Sequence, residues 1–100
     1  TPKYLSPEYI ETNECDHRGD IYALGVMGYE MISGVSPFDA QDDKAMILER
    51  FERRVQDLET LAPHYPRELV KIVQKAMAFS VVLRFQSAGE MRSALERVAR

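Results

Sequence analysis

The segment from Asp20 to Phe38 constrains the fold more than any other part of the chain. It reads Asp20-Ile21-Tyr22-Ala23-Leu24-Gly25-Val26-Met27-Gly28-Tyr29-Glu30-Met31-Ile32-Ser33-Gly34-Val35-Ser36-Pro37-Phe38, an apolar run with hardly any polar face. A helix that is apolar nearly all round belongs in the middle of a domain, not on its surface. Only 100 residues are at hand to surround it. The expectation is a central helix whose covering is partly missing, and hence a piece of a larger fold. The opening on Thr1, without a methionine, is read the same way.

Composition narrows the classes. With 45% hydrophobic and 29% charged residues the chain reads as globular and not disordered. A net charge of −3, with Arg residues alternating with Glu and Asp and no basic stripe, argues against a nucleic-acid binder. The single cysteine, Cys15, forms no disulfide framework, and no second Cys or His lies at metal-ligand spacing beside Asp16 and His17, so no metal is expected. The apolar run from Ile21 to Ile32 is too short to span a bilayer, and no signal peptide is visible. A reducing, cytoplasmic setting without membrane contact is expected.

The first eighteen residues, with Pro2, Pro7 and Asn13, carry loop chemistry and one short helix after Pro7. The central helix is predicted over residues 19–34, with Asp20 as a candidate N-cap and Gly34 ending it in a left-handed conformation. Asp42 or Asp43 is placed to cap a helix over 43–58, where Leu48, Phe51, Val55 and Leu58 form one apolar stripe opposite Glu49, Arg50, Glu52, Arg53 and Arg54. Residues 59–66 are read as loop. Pro66 suits the first turn of a helix over 66–78, in which Leu69, Ile72, Val73, Ala76 and Met77 face the core. Phe79 to Phe85 lacks a helical period and is read as a buried connection, with a short strand as the alternative. Ser87 and Glu90 make a capping box for a last helix over 87–99. The sum is about four helices with long loops, a small all-α domain.

Chemistry is undeclared by pattern alone. No phosphate-cradling glycine loop occurs, and His17 and His64, both in predicted loops, read as solvated or capping residues rather than catalytic bases.

Three separated motifs nevertheless fit one family in order and spacing. Thr1-Pro2-Lys3-Tyr4-Leu5-Ser6-Pro7-Glu8 resembles the end of the activation segment of protein kinases, where the family has A-P-E. Asp20 to Phe38, leaving through Gly34-Val35-Ser36-Pro37-Phe38, resembles the long hydrophobic helix that follows it. Arg84-Phe85-Gln86-Ser87-Ala88, with Glu90 and Met91, resembles the arginine-containing approach to the last helix. The wording is closest to bacterial Ser/Thr kinases of the eukaryotic type. The resemblance covers essentially the whole chain, as the helical C-terminal subdomain (the C-lobe) of a kinase domain, with residues 1–18 as the end of the activation segment and the following loop.

The resemblance implies roles residue by residue. Thr1 matches the threonine that supports the catalytic loop. Pro2, Lys3 and Tyr4, with Thr1, match the substrate-binding surface. Glu8 and Arg84 match a structural ion pair that ties the activation segment to the lobe. Asp20 matches the aspartate that braces the catalytic-loop backbone. The exposed charges over 43–58 mark where the family docks substrates and regulators. ATP and Mg are implied for the intact parent and not for this chain, because the glycine-rich loop, the V-A-I-K lysine, the H-R-D loop and the D-F-G aspartate do not occur in it. The chain alone is expected to be inactive. One departure stands out: Ser80-Val81-Val82-Leu83 replaces a turn that in the family reads roughly Asp-Pro-x-x, which puts the turn geometry and the Glu8–Arg84 pair in doubt.

Two functional readings follow. The first is the C-terminal part of a Ser/Thr protein kinase. The alternative is a non-catalytic kinase-lobe remnant or pseudokinase that binds protein partners. Either way Ile21, Leu24, Met27 and Met31 are expected to be partly bare, and exposed apolar patches of that kind favour self-association.

Overall fold

The computed structural model describes residues 4–14, 16–38, 42, 44, 45, 47, 48 and 57–99. Five α-helices and one 3₁₀ turn are defined among them: α1 Pro7–Thr12, α2 His17–Ser33, α3 Leu58–Leu61, α4 Arg67–Ala76, the turn Val81–Leu83, and α5 Ala88–Ala99. No strand forms among the described residues, and the fold is all-α. Most of the helix expected over 43–58 lies outside the described residues. Of its start, the Ala45 N–H donates to Asp42 Oδ1 at 2.8 Å, the bond expected of a cap.

The central helix α2 begins at His17, two residues before the expected start. Its N-cap is Asp16, whose Oδ1 accepts from the Arg18 N–H at 2.9 Å, so Asp20 sits in the first turn and is not the cap. His17 is correspondingly the first helical residue and not a loop residue. At the other end Gly34 adopts φ 79°, and its N–H donates to Glu30 O at 2.8 Å. That left-handed closure is the one the sequence called for.

Why α2 is apolar on several sides is visible in what it touches. One face puts Ile21 against Ile72, Ala76, Phe85 and Ala94. A second puts Tyr29 against Leu58, Ala62, Val70 and Val73. A third puts Tyr22 and Val26 against Phe38, with Tyr4 packed alongside. Ile21, expected to be partly bare, is therefore only 2% exposed, because α4 and α5 close over the start of the helix. Leu24, Met27 and Met31 do remain exposed, Met31 at 81%. With Leu69, Met91 and Leu95 they line an apolar groove of about 670 Å³.

Helix α4 crosses α2 where α2 has no side chain. A Cβ built on Gly25 would stand 2.7 Å from Met77 Cγ, 2.9 Å from Ala76 Cβ and 3.1 Å from the Ala76 carbonyl carbon. Small residues at the crossing let the two backbones approach, which a larger residue would prevent.

Two connections differ from expectation. Residues 58–61, read as the end of one helix and the start of a loop, form the separate short helix α3. Asp57 caps it, accepting from the Glu59 N–H at 3.1 Å, and Leu58 is drawn into the core under Tyr29. The Val81–Leu83 turn is neither a strand nor a buried connection: Val82 is 74% exposed, and burial resumes at Arg84 and Phe85. The last helix starts as expected, with Ser87 Oγ accepting from the Glu90 N–H at 3.0 Å. The Glu90 carboxylate turns to Lys75 Nζ at 3.8 Å, so only half of the capping box forms.

Gly25→Ala is expected to cost about 1–3 kcal/mol in urea unfolding, because the backbone of α4 cannot yield as a side-chain tip could. Gly34→Ala, where space is open but φ is positive, is expected to cost about 1–2 kcal/mol. A neutral Gly25→Ala would contradict the close crossing.

Candidate functional site

The site is built around one buried cation. Arg84 is 1% exposed, and its guanidinium bonds to α1, to α2 and to the segment after α4. Nη1 donates to Glu8 Oε2 and Nη2 to Glu8 Oε1, both at 2.7 Å, a two-pronged pair with the carboxylate of α1. Nη1 also donates to Arg18 O at 3.1 Å, in the first turn of α2. Nη2 donates to Phe79 O at 3.3 Å and Nε to Ala78 O at 2.7 Å, both just beyond α4. All five N–H donors of an arginine are thereby used. The guanidinium carbon also lies 4.9 Å from the centroid of the Tyr22 ring, a cation–π contact.

These bonds explain how a charge is tolerated in a core. An unpaired buried charge would be expensive, but this one meets a carboxylate and three carbonyls. Lysine could not replace it, having three donors on one atom and no fork.

Glu8 is presented by α1, whose start is set by Ser6. Ser6 Oγ accepts from the Tyr9 N–H at 3.4 Å, and Pro7 occupies the first turn where no N–H is needed. Burial pushes the Glu8 carboxyl up, but the Arg84 hydrogen bonds, a backbone bond, the Arg84 charge and Ser6 together outweigh it, so it titrates below its ordinary value. The sign for stability follows. A lowered native value means stabilisation that is complete above the ordinary glutamate value of about 4.3 and is lost as pH falls through the native value.

Beside this pair stands a second, exposed one. Arg18 Nη2 donates to Asp16 Oδ2 at 2.7 Å, and its Nε is 3.1 Å from the same oxygen. Hydrogen bonds from the Arg18 side chain and backbone N–H hold the Asp16 carboxyl down to about 2.

Of the residues singled out in the sequence, Glu8 and Arg84 are brought together. Tyr4 lies elsewhere, its hydroxyl donating to Glu30 Oε1 at 2.8 Å and its ring against Tyr22 and Val26. Asp20 is exposed in the first turn of α2. Thr1, Pro2 and Lys3 lie outside the described residues. Missing from the sequence reading was Gln86, whose side chain joins Arg18 to the Val81–Leu83 turn. No pattern marks it, since its near partners are backbone carbonyls, which carry no residue signature, and Arg18 is 68 residues away.

Arg84→Ala is expected to cost about 3–5 kcal/mol in chemical unfolding, with little recovery in Arg84→Lys. A loss under about 1 kcal/mol, the scale of a surface pair, would contradict the buried reading. Wild-type stability should fall on acidification below about pH 4.3. Glu8→Gln should lose that part of the acid dependence, because a side chain that does not titrate has no proton to take up.

Comparison with known proteins places the chain in a family. The protein kinase domain model matches residues 1–95. The chain is 38% identical over 93 residues to the tyrosine-protein kinase MasK of Myxococcus xanthus, covering 93% of this chain and 14% of that protein. It is 30% identical over 95 residues to a probable serine/threonine-protein kinase of Clostridium perfringens, covering 95% of this chain and 14% of that protein. A probable serine/threonine-protein kinase of Lactococcus lactis, PknB, is 33% identical over 88 residues, or 88% of this chain and 14% of that protein. The chain thus spans about a seventh of the length of these relatives. Matched along nearly all of its length, with the Glu8 carboxylate and Arg84 joined in one core, the chain belongs to the protein kinase domain family.

Proposed function

We propose that this chain is the C-lobe portion of a serine/threonine protein kinase, whose intact parent transfers the γ-phosphoryl group of ATP to protein hydroxyls with Mg. The observation that carries this reading is the Arg84–Glu8 pair, which fastens α1 to the helical body formed by α2 and α4. In a phosphotransfer enzyme most of the catalytic advantage is positioning and charge neutralisation, so a segment that receives substrate has to be held firmly. One relative, at 38% identity, carries a tyrosine-kinase name and two, at 30% and 33%, carry serine/threonine-kinase names; the latter names are what supports serine/threonine specificity.

The part taken by these residues is positional. Among the described residues no group of three or more His, Cys, Asp or Glu could hold a metal ion, so no chemical step is assigned to them. Thr1 to Tyr4 form the substrate-receiving surface, Thr1 supports the catalytic loop, Asp20 braces that loop's backbone, and residues 43–58 take protein substrates or regulators. Asp20 suits its role, since it stands exposed at the start of α2 instead of being used up as the cap. The Ser80–Leu83 departure leaves the anchor intact: Arg84 keeps both bonds to Glu8. No helix of the described residues is long and apolar enough to cross a membrane, and the single cysteine fits a reducing, cytoplasmic setting.

In the parent, the groove along Leu24, Met27 and Met31 is covered by the catalytic-loop region; in the chain by itself, it drives copies together. Light scattering of the isolated chain should show self-association that Met31→Glu weakens. A monodisperse monomer at high concentration would contradict this.

The function is tested on the parent with Mg-ATP and a protein substrate. Phosphoserine or phosphothreonine should form, and Asp20→Ala or Thr1→Val should lower kcat by up to about 100-fold with the fold retained. The chain alone should transfer nothing. Activity of the chain alone, or full activity of both variants, would overturn the assignment.

A further inference from the structure

The Val81–Leu83 turn lacks the Asp and Pro that would shape such a turn locally, yet Arg84 leaves it with all five donors aimed. The shaping group lies two residues after the arginine. The Gln86 side-chain amide nitrogen is 3.2 Å from Val81 O, 3.3 Å from Val82 O and 2.8 Å from Arg84 O. Its two N–H groups are shared among three carbonyls that point the same way. Its amide oxygen accepts from Arg18 Nη1 at 3.0 Å. The orientation is fixed chemically, since the reverse would set an oxygen against three carbonyls and an NH₂ against a guanidinium. The Gln86 carbonyl in turn accepts from His17 Nε2 at 2.6 Å. One residue therefore holds the carbonyls before and at Arg84 and fastens both to the first turn of α2. That first turn also supplies the Arg18 carbonyl bonded by Arg84.

We propose that Gln86 is a positioning residue: its side-chain amide stands in for the missing turn chemistry and sets the direction from which Arg84 meets Glu8. It does not touch Glu8 and acts only through the backbone on either side of the arginine. The inference goes beyond the phosphotransfer reading and rests on the pair's geometry, so either can fail while the other holds.

Gln86 lies at the surface, so its replacement removes no core contact and its variants are expected to fold. The test is the native-state titration of the Glu8 carboxyl by NMR in the whole chain, with exchange of the Arg84 Nε–H as a second readout. The midpoint does not depend on global stability as long as the molecule stays folded, and the exchange is read relative to that of the α2 backbone amides, so that a change in global stability cancels. Gln86→Ala should raise the Glu8 midpoint toward the ordinary glutamate value. It should also speed exchange of the Arg84 Nε–H, by up to about tenfold for the loss of one net hydrogen bond. Gln86→Glu keeps the size and the acceptor for Arg18 but loses the two amide donors. At neutral pH it should speed exchange at least as much as alanine does. Met91→Ala, which loosens the core away from the turn, should leave both readouts unchanged. The proposal is overturned if folded Gln86→Ala keeps the wild-type Glu8 midpoint and slow exchange. It is overturned equally if Gln86→Glu behaves as wild type, since Gln86 would then act as a filler and not through its donors.

Discussion

Arg84 is the group on which the other elements depend. It is a permanent cation with almost no access to water, and it accepts no compromise in its partners. Its five donors draw in the Glu8 carboxylate, the first turn of α2 and the end of α4. None of these elements could satisfy it alone. A terminal segment, a central helix and a late turn are therefore joined by hydrogen-bond accounting, with the flat face against Tyr22 adding a packed contact. Directionality matters here more than strength: apolar packing tolerates sliding, whereas a forked pair at 2.7 Å on both prongs does not.

Apolar packing supplies the frame in which that directionality is used. Helix α2 is wrapped along three faces, and its glycines let α4 come close enough for the Ala78 and Phe79 carbonyls to reach Arg84. The fourth side of α2 is left open along Leu24, Met27 and Met31. A central helix with one uncovered side suits a chain that spans about a seventh of the relatives it matches.

How much could be read beforehand followed the range of the interactions. Periodicity and punctuation exposed the helices, because spacing of apolar residues and a glycine at position 34 act within a few residues. The start of α2 lies before the expected one, since Asp16 takes the cap with its side chain bonded to Arg18. The short helix at Leu58 differs from the expected loop because its reason lies under Tyr29, far along the chain. Ile21, expected to be partly bare, is buried because α4 and α5 close over it, which is a tertiary fact. For the site, Glu8 and Arg84, 76 residues apart, were linked only through the family resemblance. Gln86 escaped because a surface glutamine looks like any other until its carbonyl partners are in place.

The measurement that bears most directly on this account is a double-mutant cycle between Glu8→Gln and Arg84→Met, read by chemical unfolding of the chain. If the forked pair holds the terminal segment to the helical body, the two losses should be strongly non-additive, with a coupling of about 1–3 kcal/mol. Additive losses, with coupling near zero, would mean that the two side chains act separately and that the segment is held by something else.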